Sequence, residues 1–250
     1  MKVDAGTYAT TTAQIIDWAS RSESKYVCVA NVHMVMETRA SDSFRLAVNA
    51  ADLVTSDGMP LVWILRCRGF RAAQRVYGPD LMLHLCAAAE SAALPVGLLG
   101  ATANVLDQLS ARLLQRFPNL KIAAIIAPPF GNLSPAQNAE YSRQLSTAKI
   151  IFVGLGCPKQ ERWMAEVSPQ IPAVLIGVGA AFDIHAGLLR QAPPWLQRLG
   201  LEWAFRLAME PRRLWRRYLW HNPRFMLAMI CEEVGRRYSG KKEISELNGH

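Results

Sequence analysis

Cysteine is sparse and unpaired in this chain. Its five residues, Cys28, Cys67, Cys86, Cys157 and Cys231, form no CxxC pair and have no histidine at metal-ligand spacing. That excludes a disulfide scaffold and a zinc ribbon, and makes a reducing compartment the expectation. No stretch approaches the ~18 uninterrupted apolar residues of a membrane span. Residues 1–12 are polar without the apolar centre of a signal peptide, so the chain is expected to be neither exported nor integral. The common nucleotide fingerprints are missing too. There is no GxxxxGK[ST] run, and neither Gly97-x-x-Gly100 nor Gly177-x-Gly179 completes GxGxxG, which disfavours a P-loop enzyme and an NAD(P)-dependent oxidoreductase. A DxD-type acidic pair, which would hold a divalent cation on a diphosphate, is also lacking, and no residue is singled out as a metal ligand or a cofactor holder.

What is there suits a folded α/β protein. With 250 residues, 51% of them hydrophobic, the chain can bury a full core. Apolar, β-rich runs recur at Tyr26–Ala30, Leu53–Thr55, Val96–Leu99, Ile122–Ile126, Ile150–Val153 and Ala173–Ile176. Helix-length segments separate them, at about 35–50, 79–93, 103–116, 135–147 and 158–167, several with start signals such as Ser134 before Pro135. The alternation predicts a Rossmann-like α/β fold, a mostly parallel sheet flanked by helices.

Ligands of open parallel sheets bind beyond the carboxyl ends of the strands. The residues just after each apolar run are therefore the candidate site: Asn31 and His33, Ser56 to Met59, Gly100 to Thr102, Pro128 to Gly131, Gly156 to Gln160, and Gly179 to Asp183. The run Gly154-Leu155-Gly156-Cys157-Pro158-Lys159-Gln160-Glu161 joins a strand to a helix start through glycines, a place where backbone amides can meet a phosphate. An ordinary strand-to-helix turn would read the same way. Asp57, at a strand end and followed by Gly58, should project its carboxylate into the crevice, as a candidate general base or as a cap on the helix starting near Pro60.

The net charge of +8 is unevenly placed. Residues 195–250 hold 11 Lys and Arg against 6 Asp and Glu, together with four of the seven tryptophans, Trp195, Trp203, Trp215 and Trp220. A boundary is expected at Gln191-Ala192-Pro193-Pro194. This gives a core of residues 1–192, a basic helical appendage of 193–234 and a polar tail of 235–250, expected to be disordered. At 100° per residue, a helix from Pro211 puts Arg212, Arg213, Arg216 and Arg217 on one arc, with Leu214, Trp215, Tyr218 and Leu219 opposite. Such a helix can lie on an anionic bilayer, or pack on its own domain with a solvated basic face. Arg66, Arg68 and Arg71 read as solvated surface charges, and no nucleic-acid-binding module is recognisable.

A resemblance adds to this reading. Asn31-Val32-His33, Asn49 to Val54 running into Ser56-Asp57-Gly58-Met59-Pro60, Arg75-Val76-Tyr77-Gly78-Pro79-Asp80, Gly154 to Trp163, Gly177 to Asp183, and Pro193 to Arg217 resemble, in order and spacing, the WecG/TagA/CpsF glycosyltransferases (glycosyltransferase family 26). Each motif is weak alone, whereas the ordered set is specific and spans about residues 25–224. The resemblance implies transfer of a sugar from a UDP-sugar to a polyprenyl-diphosphate-linked saccharide at the cytoplasmic face of the bacterial membrane, in surface-polysaccharide or wall-polymer synthesis. It also implies inversion at the anomeric carbon, no required metal, and an appendage that touches the membrane. The donor stays open among UDP-ManNAc, UDP-ManNAc uronate, UDP-glucose and related sugars.

By the same resemblance Asp57 is the base, Arg75 an active-site arginine suited to paired hydrogen bonds with phosphate, Gln160 a residue near the donor, and Asn31 a holder of the site. Gly154 and Gly156 would let backbone approach the nucleotide, and Asp183 could accept from ribose hydroxyls. Arg206, Arg212, Arg213, Arg216 and Arg217 would meet the diphosphate or the membrane. Val29 stands where some members carry threonine, a departure that bears on substrate identity rather than on the reaction. Asp80, His33 and His185 are taken as structural. The competing expectation is a non-catalytic nucleotide-sugar-binding scaffold tethered to the membrane. Self-association through an exposed aromatic appendage is a further expectation where no membrane is present.

Overall fold

Six short strands carry the architecture in the computed structural model, which describes residues 1–212, 214–215, 223–225 and 227. They are β1 (Lys25–Ala30), β2 (Leu53–Ser56), β3 (Val96–Gly100), β4 (Ile122–Ile126), β5 (Ile150–Gly154) and β6 (Val174–Gly177). All neighbours pair in parallel, in the order β2-β1-β6-β5-β3-β4. Five of the six strands are buried almost throughout, as a parallel sheet covered on both faces requires. The exception is β4, an edge strand in which Ala123 and Ile125 are exposed. The protein is thus an α/β, Rossmann-like fold, and every apolar run read from the sequence is a strand.

Helices fill the crossovers. On one face, α1 (Tyr8–Ser20), α5 (Gly78–Ser91), α6 (Ala103–Arg116) and α9 (Ala181–His185) share a core with the sheet. There Ile15, Leu85, Leu109 and Phe182 pack with Val27, Leu98, Phe152 and Ile176. The remaining helices of this unit are α2 (Val32–Ala40), α3 (Asp42–Asn49), α4 (Met59–Cys67), α7 (Pro135–Leu145), α8 (Lys159–Val167) and α10 (Pro194–Arg198). Of these, α8 touches β1 and β6 and also packs on α3, while α4 lies on β2. Cys28 points away from the Val27 side of β1, where burial and the neighbouring Glu161 carboxylate push its thiol up.

Local chemistry sets the helix starts. Ser134 and Gln137 form a capping box ahead of α7 with Pro135 in the first turn, the start signal read from the sequence. Thr7 and Thr10 form another ahead of α1, an element absent from the sequence reading because its first turn lies in the polar stretch at residues 1–12. The segment expected as one helix over 35–50 is two. Ser41 is extended (φ −141°, ψ 115°) and its hydroxyl accepts from the Phe44 N–H, ending α2 and capping α3.

The chain divides into two units, Met1–Gly200 and Leu201–His250. The first contains all six strands and α1 to α10. The second is helical where described and includes α11 (Glu202–Met209). Arg213, Arg216, Arg217, the polar tail from 235 and the remainder of the expected basic helix lie outside the described residues.

Candidate active site

Four adjacent strand ends, β2, β1, β6 and β5, build the site. Asp57 follows β2 directly, and its N–H donates to the Ala30 carbonyl (2.8 Å), extending the β1–β2 ladder by one residue. The chain then turns into α4, whose N-cap is Gly58 with no side-chain cap bond. Asp57 thus stands one residue ahead of the cap position of α4. Its carboxylate meets Arg75, with Nη2 to Oδ1 at 3.1 Å, while Arg75 Nε donates to the Asp57 carbonyl. Both side chains keep 16% exposure, enough for a substrate to reach them.

Arg75 is held from three directions. Besides Asp57, its Nη1 donates to Gln197 Oε1 of α10 (3.1 Å), and its guanidinium lies 4.1 Å from the centroid of the Tyr77 ring. The Tyr77 N–H donates to Tyr8 Oη (3.0 Å), and Tyr8 Oη donates in turn to Asp80 (3.3 Å). Burial pushes the Tyr8 phenol well up from its ordinary value, so it stays a donor. Gln191 also reaches Asp80 (3.4 Å), and His185 Nε2 meets the Pro79 carbonyl (2.9 Å). Burial lowers the His185 pKa, which fits a neutral imidazole donating to that carbonyl. Asp80 and His185 thus hold the Gly78-Pro79-Asp80 turn, the structural role expected of them. A Cβ at Gly78 would lie 3.5 Å from the Val178 carbonyl and 3.6 Å from Val29, so the turn sits against the ends of β6 and β1.

Asn31 ends β1 and caps α2, its Oδ1 accepting from the Met34 N–H (3.2 Å). It lies beside Gly58, whose Cβ would come 4.0 Å from the Asn31 Cα. The β5 end supplies the other half of the site. Gly156 (φ +78°) has nothing within 4 Å of a Cβ, which leaves its backbone open to a ligand. Gly154 is different: a Cβ there would meet the Phe182 ring at 2.7 Å, so it is a packing glycine. Gln160 is only 4% exposed. Its Oε1 accepts from the Gly156 N–H (3.2 Å) and its Nε2 donates to Glu161 (2.7 Å), while a Cβ at Gly177 would approach that amide to 2.8 Å. Gln160 therefore ties the Gly156 loop to the end of β6. Asp183 is half-buried in the first turn of α9, where its carbonyl accepts from the Leu188 and Leu189 N–H groups.

The structure thus brings Asn31, Asp57 and Arg75 together on one side, and Gly154, Gly156 and Gln160 on the β5 side, with Asp183 beyond β6. Arg206 and Arg212 are described in the second unit, half-buried on α11 and exposed respectively. Three contributors escaped the sequence reading as site residues. Gln197 lies 122 positions from its partner and has no local signal. Tyr77 and Glu161 sit inside motifs that were read for other residues. Among the described residues, no three His, Cys, Asp or Glu side chains gather as a metal site, and no helix is long and apolar enough to cross a membrane.

The chain is similar to known proteins along most of its length. One relative is the N-acetylglucosaminyldiphosphoundecaprenol N-acetyl-beta-D-mannosaminyltransferase of Bacillus subtilis (strain 168). It is 29% identical over 193 residues, covering 76% of this chain and 73% of the relative. A protein of the same description from Bacillus spizizenii is 27% identical over 217 residues, covering 86% and 82%. The sequence profile of the glycosyl transferase WecG/TagA/CpsF family matches residues 1–239. With a parallel-sheet crevice holding a carboxylate–guanidinium pair and a glycine loop, and with that match along nearly its whole length, the chain belongs to the WecG/TagA/CpsF family of glycosyltransferases.

Proposed function

We propose that this glycosyltransferase moves a sugar from a UDP-sugar to a polyprenyl-diphosphate-linked saccharide, with Asp57 as general base. The observation that carries the reading is the Asp57 carboxylate itself, held beyond β2 by Arg75 and still reachable from solvent. The acceptor class follows the relatives, which are described as acting on a GlcNAc-diphosphate-undecaprenol. ManNAc is accordingly the first donor sugar to test, ahead of its uronate and glucose.

In this scheme Asp57 takes the proton from the acceptor hydroxyl as that oxygen attacks the anomeric carbon. The bond to the UDP oxygen breaks on the opposite face, so the configuration inverts. Gly156 offers open backbone to the donor, Asn31 and Gln160 hold the loops around it, and Asp183 is the proposed ribose partner. Arg75 orients the base and supplies fixed positive charge near the reacting groups. Since the sequence carries no DxD pair, charge on the leaving diphosphate is assigned to arginine, with Arg206, Arg212, Arg213, Arg216 and Arg217 as the candidate cations. The same basic segment is proposed to associate with the inner face of the cell membrane.

The test is UDP release from a panel of UDP-sugars with a short prenyl-diphosphate-GlcNAc acceptor, with and without EDTA. Wild type should turn over only when acceptor is present, and should do so in EDTA. Asp57→Asn should lose roughly 10²- to 10⁴-fold in kcat while its melting temperature changes little. Full activity in Asp57→Asn would remove Asp57 from the chemistry, and release that needs no acceptor would make the reaction donor hydrolysis rather than transfer. UDP binding with no turnover of any donor would favour a nucleotide-sugar scaffold.

A further inference from the structure

The far end of α4 carries a surface that the catalytic scheme does not use. Leu61, Val62 and Leu65 are buried, while Trp63, Arg66 and Cys67, at i, i+3 and i+4, form the outward face. Trp63 is 46% exposed. Gly69 (φ +97°) then reverses the chain, and the Phe70 N–H returns to the Leu65 carbonyl (3.0 Å), presenting Phe70 at 54% exposure beside exposed Arg71. Arg66 and Arg71, both exposed, give this stretch its positive charge, and no acidic residue lies between Gly58 and Ala72 in the sequence. The Trp63 ring tip also lies against Gly200, just past α10, whose Trp195 (60%) and Leu199 (58%) are likewise exposed.

We propose that Trp63, Arg66, Phe70 and Arg71 form a membrane-docking surface of the catalytic unit, its occupant an anionic lipid bilayer. Aromatic rings with arginines, and no carboxylate among them, are what the headgroup region of such a bilayer accepts, the rings at the interfacial depth and the guanidinium groups on phosphate. An acidic protein partner would match the charge but would leave both rings without an apolar counterpart. Placement argues the same way: Asp57 stands two residues before α4 (Met59–Cys67), so docking through that helix and the turn after it brings the candidate crevice close to the lipid surface. The inference extends the membrane association proposed above from the C-terminal segment to the core, and its test uses no turnover, so it stands or fails apart from the transferase reading.

Cys67, exposed on the same face, is the reporter. The full-length protein is treated with a charged alkylating reagent, and modification of Cys67 is followed by peptide mass spectrometry. Phosphatidylglycerol-containing vesicles should slow it about fivefold or more, and pure phosphatidylcholine vesicles should not. Phe70→Ser/Arg71→Ser should lower the vesicle partition coefficient about fivefold, whereas Phe130→Ser, 95% exposed beyond the opposite edge strand, should leave it unchanged. The wild-type protection needs no substitution, so it is independent of how the variants fold. An unchanged Cys67 rate on anionic vesicles would overturn the proposal, whether or not the protein is bound to them. So would equal loss in Phe130→Ser. Protection that rises with protein concentration in the absence of lipid would also overturn it, and would assign the face to a second copy of the chain.

Discussion

Arg75 shows how much of this site depends on one side chain's shape. Its guanidinium serves the Asp57 carbonyl, the Asp57 carboxylate and Gln197 Oε1, and lies on the Tyr77 ring. A lysine ammonium is a point charge on a flexible stem and cannot reproduce that fork or the stacking. Arg75→Lys should therefore lower kcat by up to about 100-fold through misplacement of the base, with a smaller change in donor KM. Initial rates at varied donor concentration separate the two; a raised KM with unchanged kcat would make Arg75 a binding residue only. Asp57 and Arg75 were legible in the sequence because each follows a strand or belongs to an ordered motif. Gln197 was not, since a contact across 122 positions leaves no local periodicity or cap to read.

At the scale of elements, the β5–α8 connection separates two glycines that the sequence presents as equivalent. Gly154→Ala would drive a Cβ into the Phe182 ring at 2.7 Å, an overpacking of about 1–3 kcal/mol. Gly156→Ala meets no atom within 4 Å and pays only for its left-handed backbone (φ +78°), about 1 kcal/mol. Thermal unfolding should rank Gly154→Ala as the less stable, and Phe182→Leu should recover part of its loss. For activity the order should reverse, because Gly156 is the residue whose backbone faces open space. The strand ends themselves were readable, since buried parallel strands are continuous apolar runs with glycine or polar punctuation. The break at Ser41 and the start of α1 were not, because hydroxyl caps inside polar segments carry no apolar period.

For the whole molecule, the expected boundary at 192/193 and the division after Gly200 differ by residues 193–200, the segment that contains α10. That short helix carries Gln197 to Arg75 and brings Gly200 against Trp63 and Met59. A chain ending at Gly200 contains every strand and both contacts, and should melt cooperatively. One ending at Ala192 should retain the sheet but unfold several degrees lower, as the loss of about 1–2 kcal/mol implies for a domain of this size. Equal melting temperatures for the two would show that α10 contributes nothing to the stability of the core.

The strand order also has a consequence in time. Among the described residues the last strand to be synthesised, β6, lies between β1 and β5, so the groups β2-β1 and β5-β3-β4 share no hydrogen-bonded edge until it arrives. At about 5–20 residues per second, roughly 150 residues separate the emergence of β1 from that of β6, an interval of roughly 7–30 seconds. During it the edge of β1 that β6 will cover stays open, the β5-β3-β4 half is complete only about 20 residues before β6, and the crevice between the two halves does not exist. The nascent chain is therefore most dependent on chaperones in that window, and the site becomes competent only when one four-residue strand closes the gap.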